Sequence, residues 1–255
     1  MTTDTDRSIR YRGHLSLCEV DITGQQRLRD ATVAVVGCGG LASPCLQYLA
    51  AAGVGRIRLI DADRVELSNL QRQIIHTTAD LGRLKTSSAA DRIRALNPEV
   101  RVGEAQTFLT PDNARGLLEG SDVVVDCTDS YAVKRLISKT CAKASLPLSI
   151  GAVSRFRGMA MTQFPGSPCY ACVFPEERDD ARETSCAAAG IFNGVVGLIG
   201  VIQACEVMKI IMKTGDTLAG RLLTVDALTM EFNTLTIHRD PACPVCGATN
   251  PSLPR

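Results

Sequence analysis

The stretch from Ala31 to Gly53 constrains this chain most. Residues Ala31–Gly37, ATVAVVG, are a short apolar run rich in Val with no polar alternation, as in a parallel strand buried on both faces. Gly37-Cys38-Gly39-Gly40-Leu41-Ala42 follows directly, and SPCLQYLAAAG then reads as a helix closed by Gly53. A strand that turns through glycines straight into a helix belongs to a β-α-β unit. Gly37, Gly39 and Ala42 keep a G-x-G-x-x-A spacing, with Gly40 between them. Glycines there allow a tight turn and close approach of backbone to a phosphate, while the helix start offers unpaired N–H groups and partial positive charge. Arg56–Asp61, RIRLID, is the next strand. It ends on Asp61, 24 positions after Gly37, where a carboxylate can accept from a ribose hydroxyl. The pattern points to a nucleotide without naming it; a purely structural glycine turn is the alternative.

The alternation continues. Residues 79–97 read as a helix stopped at Asn97-Pro98. Val100–Ala105, Ser121–Asp129 and the LPLSIGAV segment around Pro147 read as further strands. The pattern predicts a doubly wound α/β sheet. Residues 1–30 read as an N-terminal arm and helix broken at Gly24, and 31–150 as the nucleotide-binding region. Residues 151–255 change texture: RGMAMTQF and RLLTVDALTMEFNTLTIHR alternate apolar and polar residues, as antiparallel strands do. The three regions are expected to form one continuous domain. The charged run Pro175–Glu183, PEERDDARE, reads as a solvated loop.

Composition excludes several classes. With 28 Lys+Arg against 27 Asp+Glu the net charge is +1, which gives no electrostatic reason for a nucleic-acid or membrane-surface partner. Aromatics are 4% with no Trp, so stacking platforms for single strands are not expected. Thr184–Cys205 holds 22 residues without charge, long enough to span a bilayer. Its glycines, Asn193 and Gln203, and the continuation into Glu206 and Lys209, favour a buried core helix instead. The first ten residues lack the apolar stretch of a secretory signal. Eleven cysteines, an odd number in a chain of this length, then fit a reducing cytoplasm, most of them as small buried hydrophobes.

Beyond Asp61 come Arg72, in LSNLQRQIIH, and Lys85, in GRLKTSSA. Two cations just past a ribose acid suit a nucleotide whose phosphates react, because they offset charge on a triphosphate and a departing pyrophosphate. Asp129 ends the VVVDCTD strand at the carboxyl edge of the sheet, where such folds bind ligands and where a carboxylate can hold Mg²⁺. The bland readings are a charged helix face for the cations and a helix N-cap for Asp129.

Cys169-Tyr-Ala-Cys172 and Cys243-Pro-Val-Cys246 are two C-x-x-C knuckles 74 positions apart. Four thiolates satisfy tetrahedral Zn²⁺ and leave no open position, so the predicted metal is structural. Two redox pairs or unrelated turns are the alternatives.

With these residues in view, the sequence resembles the ubiquitin-activating-enzyme-like adenylyltransferases of the ThiF/MoeB/HesA kind, which activate sulfur-carrier proteins. The likeness runs from about Arg10 to Gly247 through VVGCGGLASPCLQYLAAAGVGRIRLIDADRVELSNLQRQIIH, GRLK, DCTDS, CYAC, TSCAAAG and CPVC. It implies a Rossmann-like ATP region, a zinc site and a homodimer. It also implies adenylation of the terminal glycine of a small β-grasp protein ending in Gly-Gly. Gly40, Asp61, Asn69, Arg72, Lys85 and Asp129 fall on the family's ATP residues. Gly37, Gly39, Asp63, Ser68, Gln71 and Ser130 complete the expected nucleotide set. Cys186 falls where some members keep a cysteine that bonds covalently to the carrier. The N-terminal arm departs from the family's Arg-Tyr-x-Arg: it reads Arg10-Tyr11-Arg12-Gly13, so Arg12 or Arg10 is expected to replace the arginine that crosses the dimer. No sulfurtransferase segment is visible, so the sulfur donor, a persulfide or sulfurtransferase, is expected in trans.

The chemistry these residues suggest is nucleotidyl transfer. A terminal carboxylate, with a pKa of about 3.5, is already a nucleophile at neutral pH and needs no general base. His14, His76 and His238 are scattered and read as structural. A nicotinamide-dependent oxidoreductase would explain the glycine loop and Asp61, but not Arg72, Lys85 or the four cysteines. A catalytically silent interaction module has Gly13 as its only support.

Overall fold

The computed structural model describes residues 4–175 and 190–247. Cys186, and the charged run after Pro175, lie outside the described residues. One eight-stranded sheet organises the rest, in the order β3-β2-β1-β4-β5-β6-β7-β8. Strands β1 (Thr32–Val36), β2 (Arg56–Ile60), β3 (Arg101–Ala105), β4 (Val123–Asp126) and β5 (Leu148–Ser154) pair in parallel. Strands β6 (Arg157–Gln163), β7 (Arg221–Asp226) and β8 (Glu231–Thr236) continue the sheet antiparallel, as the change of texture after residue 150 suggested.

Strand β1 reads as continuous hydrophobic sequence because both its faces are covered. Val33 and Val35 join one core with α3 (Asp21–Asp30), α4 (Ala42–Ala51), α5 (Lys85–Leu96) and the long helix Asn193–Met212. Ala34 and Val36 point the other way, toward α6 (Ala114–Leu118), α7 (Tyr131–Ala144) and α8 (Tyr170–Val173). This alternation is the period-two geometry of a strand applied to two buried faces.

From Asn193 onward the uncharged segment forms the long helix, α9, which runs on to Met212. Among the described residues it is the one helix long and apolar enough to cross a membrane by length and composition. In the fold it is a core helix, packed on α3, α4, β4, β5 and β6. Gly200 permits this contact: a Cβ there would lie 2.3 Å from the Leu41 carbonyl oxygen.

Two local expectations need correction. Gly24 does not break the first long helix; α3 runs through it. A Cβ at Gly24 would come within 3.1 Å of Val20 and 3.6 Å of Met212, so the glycine serves close packing against α9. The helix expected from residue 79 begins at Lys85, because Thr77–Asp80 closes a separate 3₁₀ turn through a reciprocal capping box. N-terminal to α3, α1 (Asp4–Arg10) and α2 (Arg12–Leu15) form the arm.

Candidate active site

In the order 3-2-1-4-5 the chain reverses direction across the sheet between β1 and β4, and such a switch point opens a crevice at the carboxyl ends of the strands. The glycine loop after β1 and the 127–130 loop after β4 face each other there. Gly37 has φ +86°, and a Cβ on it would stand 2.9 Å from the Cys127 carbonyl oxygen, so two reasons require glycine. At Gly40 a Cβ would meet Val196 of α9 at 2.8 Å. Among the described residues, the N–H groups of Gly39, Gly40 and Leu41 donate to no protein acceptor, which leaves them for an anion at the start of α4.

A cavity of about 840 Å³ opens over this crevice, within the range of ligand sites. Of the residues singled out from sequence, Gly37, Gly39, Gly40, Asp61, Asp63, Arg72, Lys85, Asp129 and Ser130 line it. Asp61 Oδ2 accepts the Cys38 N–H at 2.7 Å and Oδ1 the Asp63 N–H at 2.7 Å. It thus shapes both loops and keeps further lone pairs toward the cavity. Lys85, at the start of α5, is buried, and its Nζ pairs with Asp63 at 2.8 Å. Arg72 donates to the Ser68 carbonyl at 3.0 Å. Asp129 is exposed at the cavity edge; the N-cap of α7 is Ser130, whose Oγ accepts the Val133 N–H.

Four expected contacts are placed elsewhere. Asn69 is buried in the capping box of the Leu67–Asn69 turn, its Oδ1 accepting the Glu66 N–H. Ser68 and Gln71 are exposed on the same stretch and supply carbonyls, to Arg72 and to Asn193. Arg12 is exposed on α2 and does not line this chain's cavity. Ser68, Asn69 and Gln71 belong to the loop that carries Arg72.

His76 has a positioning role. Its Nε2–H donates to the Cys38 carbonyl at 2.9 Å and its Nδ1 accepts from Ser88 Oγ at 2.8 Å, with the tautomer fixed by the carbonyl partner. Burial, partly opposed by that backbone bond, holds its pKa below 6.5. A neutral ring therefore ties the glycine loop to α5, which presents Lys85.

The cavity extends beyond the nucleotide crevice. Its lining continues to Ser154 at the end of β5 and to Gly158, Thr224 and Asn233 of the antiparallel strands. Gln73, Thr128 and Lys134 line the cavity without having been singled out; a lysine one turn after DCTDS on an otherwise apolar helix face was the only signal.

The knuckles converge as their spacing suggested. The Sγ atoms of Cys169, Cys172, Cys243 and Cys246 all lie within 4.8 Å of one another, with separations of 3.9 Å (169–172), 3.6 Å (169–243) and 3.3 Å (172–246). Tetrahedral Zn²⁺ with bonds of about 2.3 Å needs sulfurs roughly 3.8 Å apart. The cluster is compatible with zinc, and one four-thiol group does not suit two independent redox pairs. The thiol of Cys169 hydrogen-bonds to Cys172 and lowers its pKa to about 4, while burial raises Cys246 to about 11. Four thiols this close resist carrying several negative charges together, a conflict a divalent cation relieves. Of the other cysteines described, Cys38, Cys45, Cys127 and Cys141 are buried, while Cys18 and Cys205 are exposed.

A twisted sheet with a glycine-lined anion cradle at its switch point, flanked by two cations and a carboxylate, defines a nucleotide-binding α/β protein. The ThiF family model matches residues 11–245, and the chain belongs to that family. It is 42% identical over 247 residues to the SAMP-activating enzyme E1 of Haloferax volcanii, covering 97% of this chain and 92% of that protein. It is 43% identical over 244 residues to a sulfur carrier protein adenylyltransferase of Thermus thermophilus, covering 93% and 90%. The crystal structure of E. coli MccB with MccA-N7isoASN superposes with a TM-score of 0.83 over 94% of this chain and 74% of that one. At 23% identity this likeness concerns the fold.

Proposed function

We propose that the chain adenylates the C-terminal glycine of a small β-grasp sulfur-carrier protein ending in Gly-Gly, using ATP and releasing pyrophosphate. One observation carries the reading. A single cavity of about 840 Å³ is lined both by the glycine cradle with its charged residues and by residues of the antiparallel strands, which supports a site shared by a nucleotide and a peptide tail. The names of the two relatives above, an E1 and a sulfur carrier protein adenylyltransferase, support it.

In this mechanism the N–H groups of Gly39–Leu41 hold phosphate oxygens and Asp61 takes the ribose. Arg72 and Lys85 offset the charge that develops as pyrophosphate departs. Lys85 exchanges part of its contact with Asp63 for phosphate. The carrier's terminal carboxylate, ionised at neutral pH, attacks the α-phosphorus, and the bond from the α-phosphorus to the oxygen bridging it to the β-phosphorus breaks, that oxygen leaving with the pyrophosphate. The product is an acyl-adenylate, a mixed anhydride open to a persulfide or thiol. Catalysis rests on position and charge, so the absence of a triad among the cavity residues is consistent with it. Asp129, exposed at the cavity edge, would hold Mg²⁺, which would shield phosphate charge. A tail of two glycines suits this part of the cavity because it brings no side chains past Gly158. The four cysteines hold structural Zn²⁺. The working form is a cytoplasmic homodimer in which Arg12, free on α2, reaches the neighbour's cavity. Cys186 bonds to the carrier in the later sulfur-transfer step, and sulfur comes from a separate persulfide or sulfurtransferase donor.

ATP–pyrophosphate exchange dependent on a Gly-Gly-ending carrier tests the proposal. Exchange lost on deleting the carrier's last glycine is expected; nicotinamide reduction with no exchange would refute it.

A further inference from the structure

Beneath the cavity lie two buried charges that the mechanism above does not use. Asp126, the last residue of β4, is fully buried, and Lys134, on α7, is 3% exposed. They form an ion pair at 3.2 Å. Lys134 Nζ also donates to the Gly151 carbonyl of β5 at 2.6 Å. Asp126 Oδ1 accepts from the Thr128 N–H at 3.0 Å and from Thr128 Oγ1 at 2.7 Å. Its other oxygen has no hydrogen-bond partner among the described residues.

A buried ion pair with an unpartnered oxygen is a poor device for stability, since well-packed apolar residues of similar volume often do as well or better. Its geometry suggests another use. The 127–130 loop joins β4 to α7 and carries Asp129. It is held at Cys127 by the Val36 carbonyl (2.9 Å), at Thr128 by Asp126, and at Ser130 by the Lys134 N–H (3.0 Å). Lys134 then ties this end of α7 inward to β5. Gln203 of α9 fixes the same corner from the opposite face, donating to the Asp126 carbonyl at 2.8 Å. The facing wall is the glycine loop, with the Gly37 site against Cys127. The separation between phosphate cradle and Asp129 is therefore set by this corner.

We infer that Lys134, acting through Asp126, is a positioning residue that holds Asp129 in register with the glycine cradle. The catalytic readout of this inference rests on the adenylation reading.

Lys134→Met alone leaves Asp126 buried and unpaired. The working variant is therefore Lys134→Met/Asp126→Asn, which removes both charges and keeps an oxygen for Thr128. It is expected to melt near the wild-type temperature, yet to lose about 100-fold in kcat of pyrophosphate exchange, since a displacement of about 1 Å can cost that much. KM for the carrier is expected to stay unchanged. Adding Asp129→Asn to this background should cost less than about threefold more, because residues acting through one another are not additive. Wild-type exchange in the double variant, or a full Asp129→Asn cost in both backgrounds, overturns the inference. Should the double variant not fold, Asp126→Asn alone, in which Lys134 keeps its bond to the Gly151 carbonyl and an amide oxygen remains for Lys134 and Thr128, gives the comparison of Asp129→Asn costs. If the wild-type chain shows no exchange, the adenylation reading fails. Calorimetry of ATP binding then judges the inference separately. Loss of the Mg²⁺-dependent gain in affinity in both the double variant and Asp129→Asn supports it, and retention of that gain in the double variant refutes it.

Discussion

Replacing Cys243 by Ser should lower stability far more than it alters nucleotide affinity. Cys243 is 1% exposed, and its sulfur lies 3.6 Å from that of Cys169, 74 positions away. A metal held by all four sulfurs binds the folded chain, where the ligands have been brought together, and not the unfolded one, so its binding free energy adds to folding. At a free metal concentration about 1,000-fold above Kd that linkage is worth about 4 kcal/mol. For a chain of this size each kcal/mol shifts Tm by roughly 2–4 °C, so a fall of about 10 °C or more is expected. The cations and carboxylate of the nucleotide crevice hang from other elements: Arg72 from the turn after β2, Lys85 from α5, Asp129 from the β4–α7 loop. ATP affinity at 20 °C should therefore stay nearly unchanged, even though Tyr170 and Phe174, beside the knuckle, border the same cavity. Elemental analysis with calorimetric melting of wild type and Cys243→Ser checks this. Folded, active protein without zinc, or a variant that loses its metal with no drop in Tm, would refute the reasoning.

Three further expectations follow from the site. Asp129→Asn and Arg72→Ala should each reduce pyrophosphate exchange by about 100-fold with the melting curve retained, and wild-type rates in either would remove that residue from the mechanism. Because the folded chain keeps the His76 pKa below 6.5, the unfolded chain takes up a proton first as pH falls. The stability from neutral His76 is intact above 6.5 and is lost progressively below it. Carboxylates with depressed pKa values, such as Asp80 and Asp226, act only below about 3.8. Melting followed between pH 7.5 and 5 (about the His window) should show the loss in wild type and a flatter profile in His76→Gln. Cys186→Ala should leave exchange within a few-fold of wild type and remove only a covalent carrier adduct seen by intact-protein mass spectrometry; loss of exchange in folded protein would contradict the division between adenylation and thiol chemistry.

Much of the architecture is written locally. A buried parallel strand reads as ATVAVVG because two cores flank it, and a glycine turn followed by a helix reads as an anion cradle because backbone sterics permit nothing bulkier at Gly37. The C-x-x-C pairs were legible for the same reason, since the bite of each pair depends on only four residues. Gly24 misled, because a glycine that breaks a helix and one that lets two helices touch look alike until the neighbour is known. The neighbour here is Met212, on the last turn of α9.

Only the tertiary structure decided which polar residues around the glycine loop face the cavity and which hold it up. Ser68, Asn69 and Gln71 share a stretch with Arg72, yet of these four only Arg72 lines the cavity; Ser68 and Asn69 hydrogen-bond to Glu66 within the turn, and Gln71 gives its carbonyl to Asn193 of α9. His76, Lys134 and Gln203 act on partners 38, 17 and 77 positions away, across different elements. Periodicity and propensity are properties of a few consecutive residues. The corner formed by β1, β4, β5 and α9 is a property of how separate elements pack, and its buried charges and hydrogen bonds acquire meaning only once the sheet has brought them together.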